Sequence, residues 1–113
     1  MSTLLALYGR PSGGDDAYAA FEQAYAKTHL PLIAKLPGLR ALRVARVRRS
    51  LTPEADVALV ARMNFDDWDA LKAALGSEEM HVAGQNLAAI GGAELATLLL
   101  VEEAPDLIPE SAP

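Results

Sequence analysis

The chain contains no cysteine among its 113 residues, which excludes disulfide frameworks, thiol catalysis and cysteine-ligated zinc. It has two histidines, His29 and His81, far apart in sequence and without an obvious carboxylate partner, so neither a metal nor a cofactor is expected. No apolar run approaches the roughly 20 residues needed to span a bilayer. The start, MSTLLALYGRP, lacks a basic n-region and its apolar run is short, so it reads as a strand and not as a signal peptide. Gly13-Gly14 and Gly91-Gly92 lack the strand–loop–helix context of a phosphate cradle. There is no serine or cysteine nucleophile motif and no internal repeat. Positive charge is the minority sign: ten Lys and Arg face fifteen Asp and Glu, a net charge of −5. That balance argues against general nucleic-acid binding and against an anionic membrane as partner. The expected compartment is the cytoplasm.

What the chain does have is apolar content, 51% hydrophobic residues against 22% charged, enough to bury a core in one domain. Residues 1–103 read as that domain, and 104–113 as an acidic, proline-rich tail that is poorly ordered or packs as an arm on a partner. Thr3 to Tyr8 is nearly all apolar and reads as a strand covered on both faces. Asp15 or Asp16 is placed to cap a helix whose Tyr18, Phe21 and Tyr25 fall on one side. Pro31 denies the helix an N–H and biases the residue before it, so the helix is expected to end near Thr28–His29, with His29 to Lys35 a transition that has room for one helical turn. Gly38 to Arg49 reads as a long second strand carrying five arginines (Arg40, Arg43, Arg46, Arg48, Arg49). Arginines on both of its faces indicate a sheet edge or a bulge, with the side chains solvated, paired with acidic neighbours, or holding an anion.

After a loop from Ser50 to Asp56 containing Pro53, Val57 to Phe65 reads as a third strand. Leu59, Ala61, Met63 and Phe65 share one face, and Val60, Arg62 and Asn64 the other. Asp66 is placed to cap the next helix, whose apolar stripe includes Trp68 as a core residue. Gly76 and Ser77 separate it from a second helix, and Leu95 to Val101 is the last strand. The order β-α-β-β-α-β is the split βαβ, ferredoxin-like pattern, an α+β fold with a four-stranded antiparallel sheet. Helices cover only one face of such a sheet, yet the strands are apolar on both. A second copy packed sheet to sheet is the economical cover, which predicts a homodimer shaped as a dimeric α/β barrel.

Several segments resemble the EthD family. They are LYGRP (7–11), the helix with Phe21 and Tyr25, HLPL (29–32), KLPGL (35–39), MNFDDWDALKAALGS (63–77) and Asn86-Leu87-Ala88; the likeness spans roughly residues 4 to 102. The resemblance implies a dimeric α/β barrel, a small-molecule cleft and a histidine at its mouth. It does not imply one reaction. The family was first associated with ethyl tert-butyl ether degradation, fungal relatives are dehydratases or cyclases of aromatic polyketides, and the wider superfamily includes cofactor-free monooxygenases and haem-handling proteins. Asn86 departs from the aspartate of many members, and an amide cannot transfer protons as a carboxylic acid does.

His29 is the candidate catalytic residue, because a neutral imidazole serves as general base near pH 7. Tyr25 and Tyr8 are candidates to donate hydrogen bonds to a ligand, and Arg62, Asn64 and Asn86 to orient one. Each has a plainer role beside the functional one: a helix-terminal histidine, amphipathic core tyrosines, a cross-subunit ion pair at Arg62. His81 reads as a surface residue. The expected function is binding of a small apolar or aromatic ligand, with cofactor-free proton-transfer catalysis by His29. The alternatives are a non-catalytic accessory or carrier protein, and a haem-handling barrel with His29 as axial ligand.

Overall fold

The strand with the clearest alternation becomes an interior strand of the sheet. β3 (Val57–Phe65) buries Leu59, Ala61, Met63 and Phe65 on one face and leaves Arg62 exposed on the other. It lies between β1 (Ser2–Gly9) and β2 (Ala41–Arg46), and β4 (Ala96–Glu102) closes the sheet in the order β2-β3-β1-β4, every pairing antiparallel. This computed structural model describes residues 1–52 and 56–113, so the Pro53 part of the expected loop lies outside the described residues. The architecture is the ferredoxin-like α+β fold.

The helices lie on one side of the sheet. α1 (Gly14–Ala24) runs into a π-helical turn (Tyr25–His29) and then α2 (Leu30–Ile33), while α3 (Trp68–Leu75) and α4 (Glu78–Ala89) form the second pair. Their apolar faces meet Leu4, Ala6 and Tyr8 of β1 and the buried face of β3. Among the described residues no helix is long and apolar enough to cross a membrane.

Five local expectations need correction. The first helix does not end at Thr28–His29; it continues to Ile33 with Pro31 inside it. The π turn accounts for this. There the Leu30 N–H reaches back five residues to the Tyr25 carbonyl, and the wide turn relieves the contact a proline ring makes with the preceding turn. Second, α1 has no side-chain cap, because Asp15 and Asp16 already lie inside its first turn, where they favour the positive helix end. Third, Asp67 and not Asp66 caps α3, accepting from the Ala70 N–H at 2.8 Å. Asp66 instead receives a fork of hydrogen bonds from Arg40 at 2.8–3.1 Å. Fourth, Trp68 is not a core residue: it is 41% exposed at the first position of α3, whose buried face is supplied by Leu71 and Ala74. Fifth, the long second strand is regular only over Ala41–Arg46, the stretch whose register partners on β3 are Asn64 to Leu59. It is an edge strand, as arginines on both faces require.

Candidate functional site

Tyr25 and His29 stand four residues apart on the π turn, and both point into the space between helices and sheet. Their rings continue a row that begins on Phe21 and β1. Tyr8 lies 5.8 Å from Phe21 and 4.9 Å from Tyr25, edge-on to the latter, and Tyr25 lies 5.2 Å from His29. Edge-on and tilted contacts at these distances are the favourable ones for aromatic pairs. The row forms a rigid wall, and His29 at its end is only 3% exposed.

A hydrogen-bond chain determines the state of that imidazole. Thr28 Oγ1 donates to the Ala24 carbonyl at 2.7 Å, which uses its only proton. Asn86 Nδ2 then donates to Thr28 Oγ1 at 3.1 Å, so the amide is oriented with its oxygen toward the ring. Asn86 Oδ1 lies 3.2 Å from His29 Nδ1. An amide oxygen only accepts, so Nδ1 carries the proton and the lone pair resides on Nε2. Burial pushes the His29 pKa down; hydrogen bonding to Asn86 and to the Ala83 backbone oppose that shift without cancelling it. The group is therefore a neutral base at pH 7.

His29 and Tyr8 line a cavity of about 70 Å³, otherwise bounded mainly by apolar side chains that include Ile33, Met63, Met80, Leu87 and Leu98. Burial raises the hydroxyl pKa of both tyrosines. On the β2 side a larger groove of about 260 Å³ is lined by Tyr25, Leu30, Val44 and Leu59, with Glu22 and Arg46 at its polar end. Arg46 donates two hydrogen bonds to one Glu22 oxygen, at 2.7 and 3.0 Å, and Tyr18 donates to the other at 2.8 Å. Arg46 thereby holds the Glu22 carboxyl below its usual range, while burial and the Glu22 contact push the Tyr18 hydroxyl up to about 12.

Four of the six residues singled out in the sequence thus converge: Tyr8, Tyr25, His29 and Asn86. Arg62 and Asn64 do not join them. The pleat sends them to the opposite face, where Asn64 accepts from Thr3 Oγ1 at 2.8 Å and Arg62 stands beside Arg43 and Leu5. They cannot orient a ligand held at His29 of the same chain. His81 is exposed on α4. Among the described residues no group of three or more histidine or acidic side chains is placed to hold a metal.

Three contributors are absent from the sequence-derived candidates: Thr28, Leu98 and Gly84. Gly84 had a readable signal, since a glycine inside a helix costs about 1 kcal/mol against alanine and calls for a reason. Here it lines the cavity beside Ala83, and a Cβ at that position meets no atom within 4 Å. Gly84→Ala is expected to stabilise the fold by about 0.5–1 kcal/mol in urea denaturation while weakening ligand binding. A gain in stability with unchanged affinity refutes a ligand path past Gly84.

A family model described as the EthD domain matches residues 17–86. The crystal structure of an EthD family protein from Bacillus halodurans C-125 superimposes with a TM-score of 0.80 at 35% identity, covering 92% of this chain and 99% of that one. A dimeric ferredoxin-like protein of unknown function from Jannaschia sp. CCS1 gives a TM-score of 0.62 at 24% identity, over 91% of this chain and 100% of that one. SnoaB from Streptomyces nogalater, a cofactor-independent oxygenase, gives 0.56 at 23% identity, over 96% and 97%. The last two likenesses establish the fold alone. The curated proteins provide no match.

Proposed function

The chain belongs to the EthD family, and from that premise we propose that it is a homodimeric protein that binds a small apolar or aromatic molecule between sheet and helices and removes a proton from it without a cofactor. The observation that carries this reading is the buried, neutral His29 in an apolar wall, with its Nδ1–H committed to Asn86 and its Nε2 left basic. A base in that state suits abstraction from a phenol or an activated C–H, the entry step of dehydration, cyclisation or direct oxygenation. Tyr8, which lines the same cavity as His29, supplies a hydroxyl to such a ligand, and Tyr25 offers its own to the adjoining groove. Their raised pKa values keep both protonated, so they act as donors and not as bases.

The homodimer reading rests on the sheet. Its helix-free face carries Leu5, Leu7, Leu99 and Val101, and a second sheet is the simplest cover for so much apolar surface. The dimeric Jannaschia protein of the same fold supports it. A role in a catabolic or secondary-metabolic pathway, ether degradation among them, and a cytoplasmic location complete the reading.

A second reading is favoured by Asn86 itself. Binding without chemistry, as an accessory or carrier protein, needs no carboxylate behind the imidazole, and this chain has none there. The haem-handling alternative gains no support from a cavity of about 70 Å³. The discriminating experiment is a panel of aromatic compounds bearing a phenol or an acidic C–H, scored for binding by fluorescence quenching and for turnover by mass spectrometry. Turnover that disappears in His29→Gln while binding persists supports the catalytic reading. Binding without turnover in the natural chain selects the accessory one.

A further inference from the structure

The charges of this chain are segregated between its two sheet edges. β2, at one edge, belongs to the arginine-rich segment 40–49; β4, at the other, leads into Glu103, Asp106 and Glu110. Arg40 and Arg46 are paired with Asp66 and Glu22 on their own chain. Arg43 is not: it stands directly opposite Arg62 in the β2–β3 register, on the helix-free face, and among the described residues neither makes an ion pair. Like charges placed directly across a ladder are mutually destabilising, so the pair calls for an anion.

The tail carries three carboxylates that make no ion pair among the described residues, together with Leu107 at 79% and Ile108 at 61% exposure. On its own chain it makes no ion pair with the β2 arginines, which lie across the sheet, three strands or roughly 14 Å away at about 4.8 Å per strand.

Symmetry decides where it goes instead. Two sheets packed face to face are related by a two-fold axis lying between them. If that axis runs across the strands, β2 lies over its own copy and four arginines crowd together. If it runs along the strands, the end of β4 of one copy lies over the start of β2 of the other, with its acidic tail beside Arg43 and Arg62. Charge complementarity selects the second arrangement.

We propose that the C-terminal arm, Glu103 to Glu110, clamps a second copy of this chain by seating its carboxylates on Arg43 and Arg62 of that copy's sheet, twice per dimer. The inference rests on the homodimer reading above, and goes beyond it by fixing the axis and assigning the arm. The bonds are rim electrostatics, so they weaken with salt.

The test uses full-length chains and two charge-reversed variants: Glu103→Arg/Asp106→Arg/Glu110→Arg on the arm, and Arg43→Glu/Arg62→Glu on the sheet. Sedimentation equilibrium is expected to show each variant alone dimerising about 10-fold or more weakly than the natural chain, and the 1:1 mixture recovering as a heterodimer in native mass spectrometry. The arm variant lies outside the packed core, so it reports even if the sheet variant does not fold. Natural-strength dimers in the arm variant overturn the clamp while leaving the dimer intact. A weakened arm variant that the sheet variant fails to rescue, with both folded by circular dichroism, also overturns it. A natural chain that is monomeric at micromolar concentration overturns the homodimer reading itself.

Discussion

His29→Gln is expected to lower turnover of a proton-transfer substrate by about 100-fold to 10,000-fold, the range general-base catalysis supplies, with ligand affinity changed little. Glutamine keeps a side-chain amide in a similar volume but removes the basic nitrogen. The pH dependence gives the loss its signature. Burial holds the His29 pKa below the ordinary value of about 6.5, so the natural protein is expected to stay active into mildly acidic solution. Placing a carboxylate there with Asn86→Asp puts an anion beside Nδ1–H and raises that pKa. The acid limb of the rate profile is then expected to move to higher pH. A rate profile identical in Asn86→Asp shows that the ring titrating in catalysis is not His29.

The same shift has a consequence for stability. The folded protein keeps His29 neutral, whereas the unfolded chain protonates it near pH 6.5. The contribution is present above the unfolded pKa and is lost as pH falls through the folded one. Urea midpoints measured from pH 7.5 down to 5 are expected to fall more steeply for the natural protein than for His29→Gln.

The largest effect on stability is expected at Tyr25. It is 2% exposed and contacts Tyr8, Phe21 and His29 at once. Tyr25→Ala removes a whole ring from the middle of the wall and is expected to cost about 3–5 kcal/mol, read as a lowered urea midpoint at unchanged slope. Tyr25→Phe keeps the ring and loses one hydroxyl contact, so about 0.5–1.5 kcal/mol is expected. The pair of substitutions separates packing from chemistry. If Tyr25→Phe costs little stability yet weakens ligand binding about 10-fold, the hydroxyl serves the ligand; if binding is also unchanged, Tyr25 is wall alone.

Much of this architecture is legible in the residues alone. The alternation in β3 tells which side chains meet the helices, because successive residues of a strand must face opposite ways. The arginines on both faces of residues 40–49 mark a sheet edge, since a buried strand cannot solvate them. The spacing of Tyr25 and His29 puts both on one helical face, and the HLPL and KLPGL segments identify the family. These are local rules of period and solvation, and they survive any tertiary arrangement.

Other features lie beyond such rules. Pro31 reads as a helix end because a standard α-turn excludes it, yet a π turn accommodates it, and packing against sheet and α4 decides between the two. Asp66 and Asp67 are equally good caps by residue type; the position of Arg40, twenty-six residues earlier, takes Asp66 away. Arg62 and Asn64 pass for ligand groups because sequence shows that they share a face, and not which of the molecule's two faces holds His29. The partnership of Thr28, His29 and Asn86 spans 58 residues and arises only where α4 packs on the π turn. Sequence by itself determined the order of the strands, the core face of β3 and the family. Only the tertiary structure decided the protonation state of His29 and its company, because burial and hydrogen-bond partners are properties of chain segments brought together, and no local pattern encodes them.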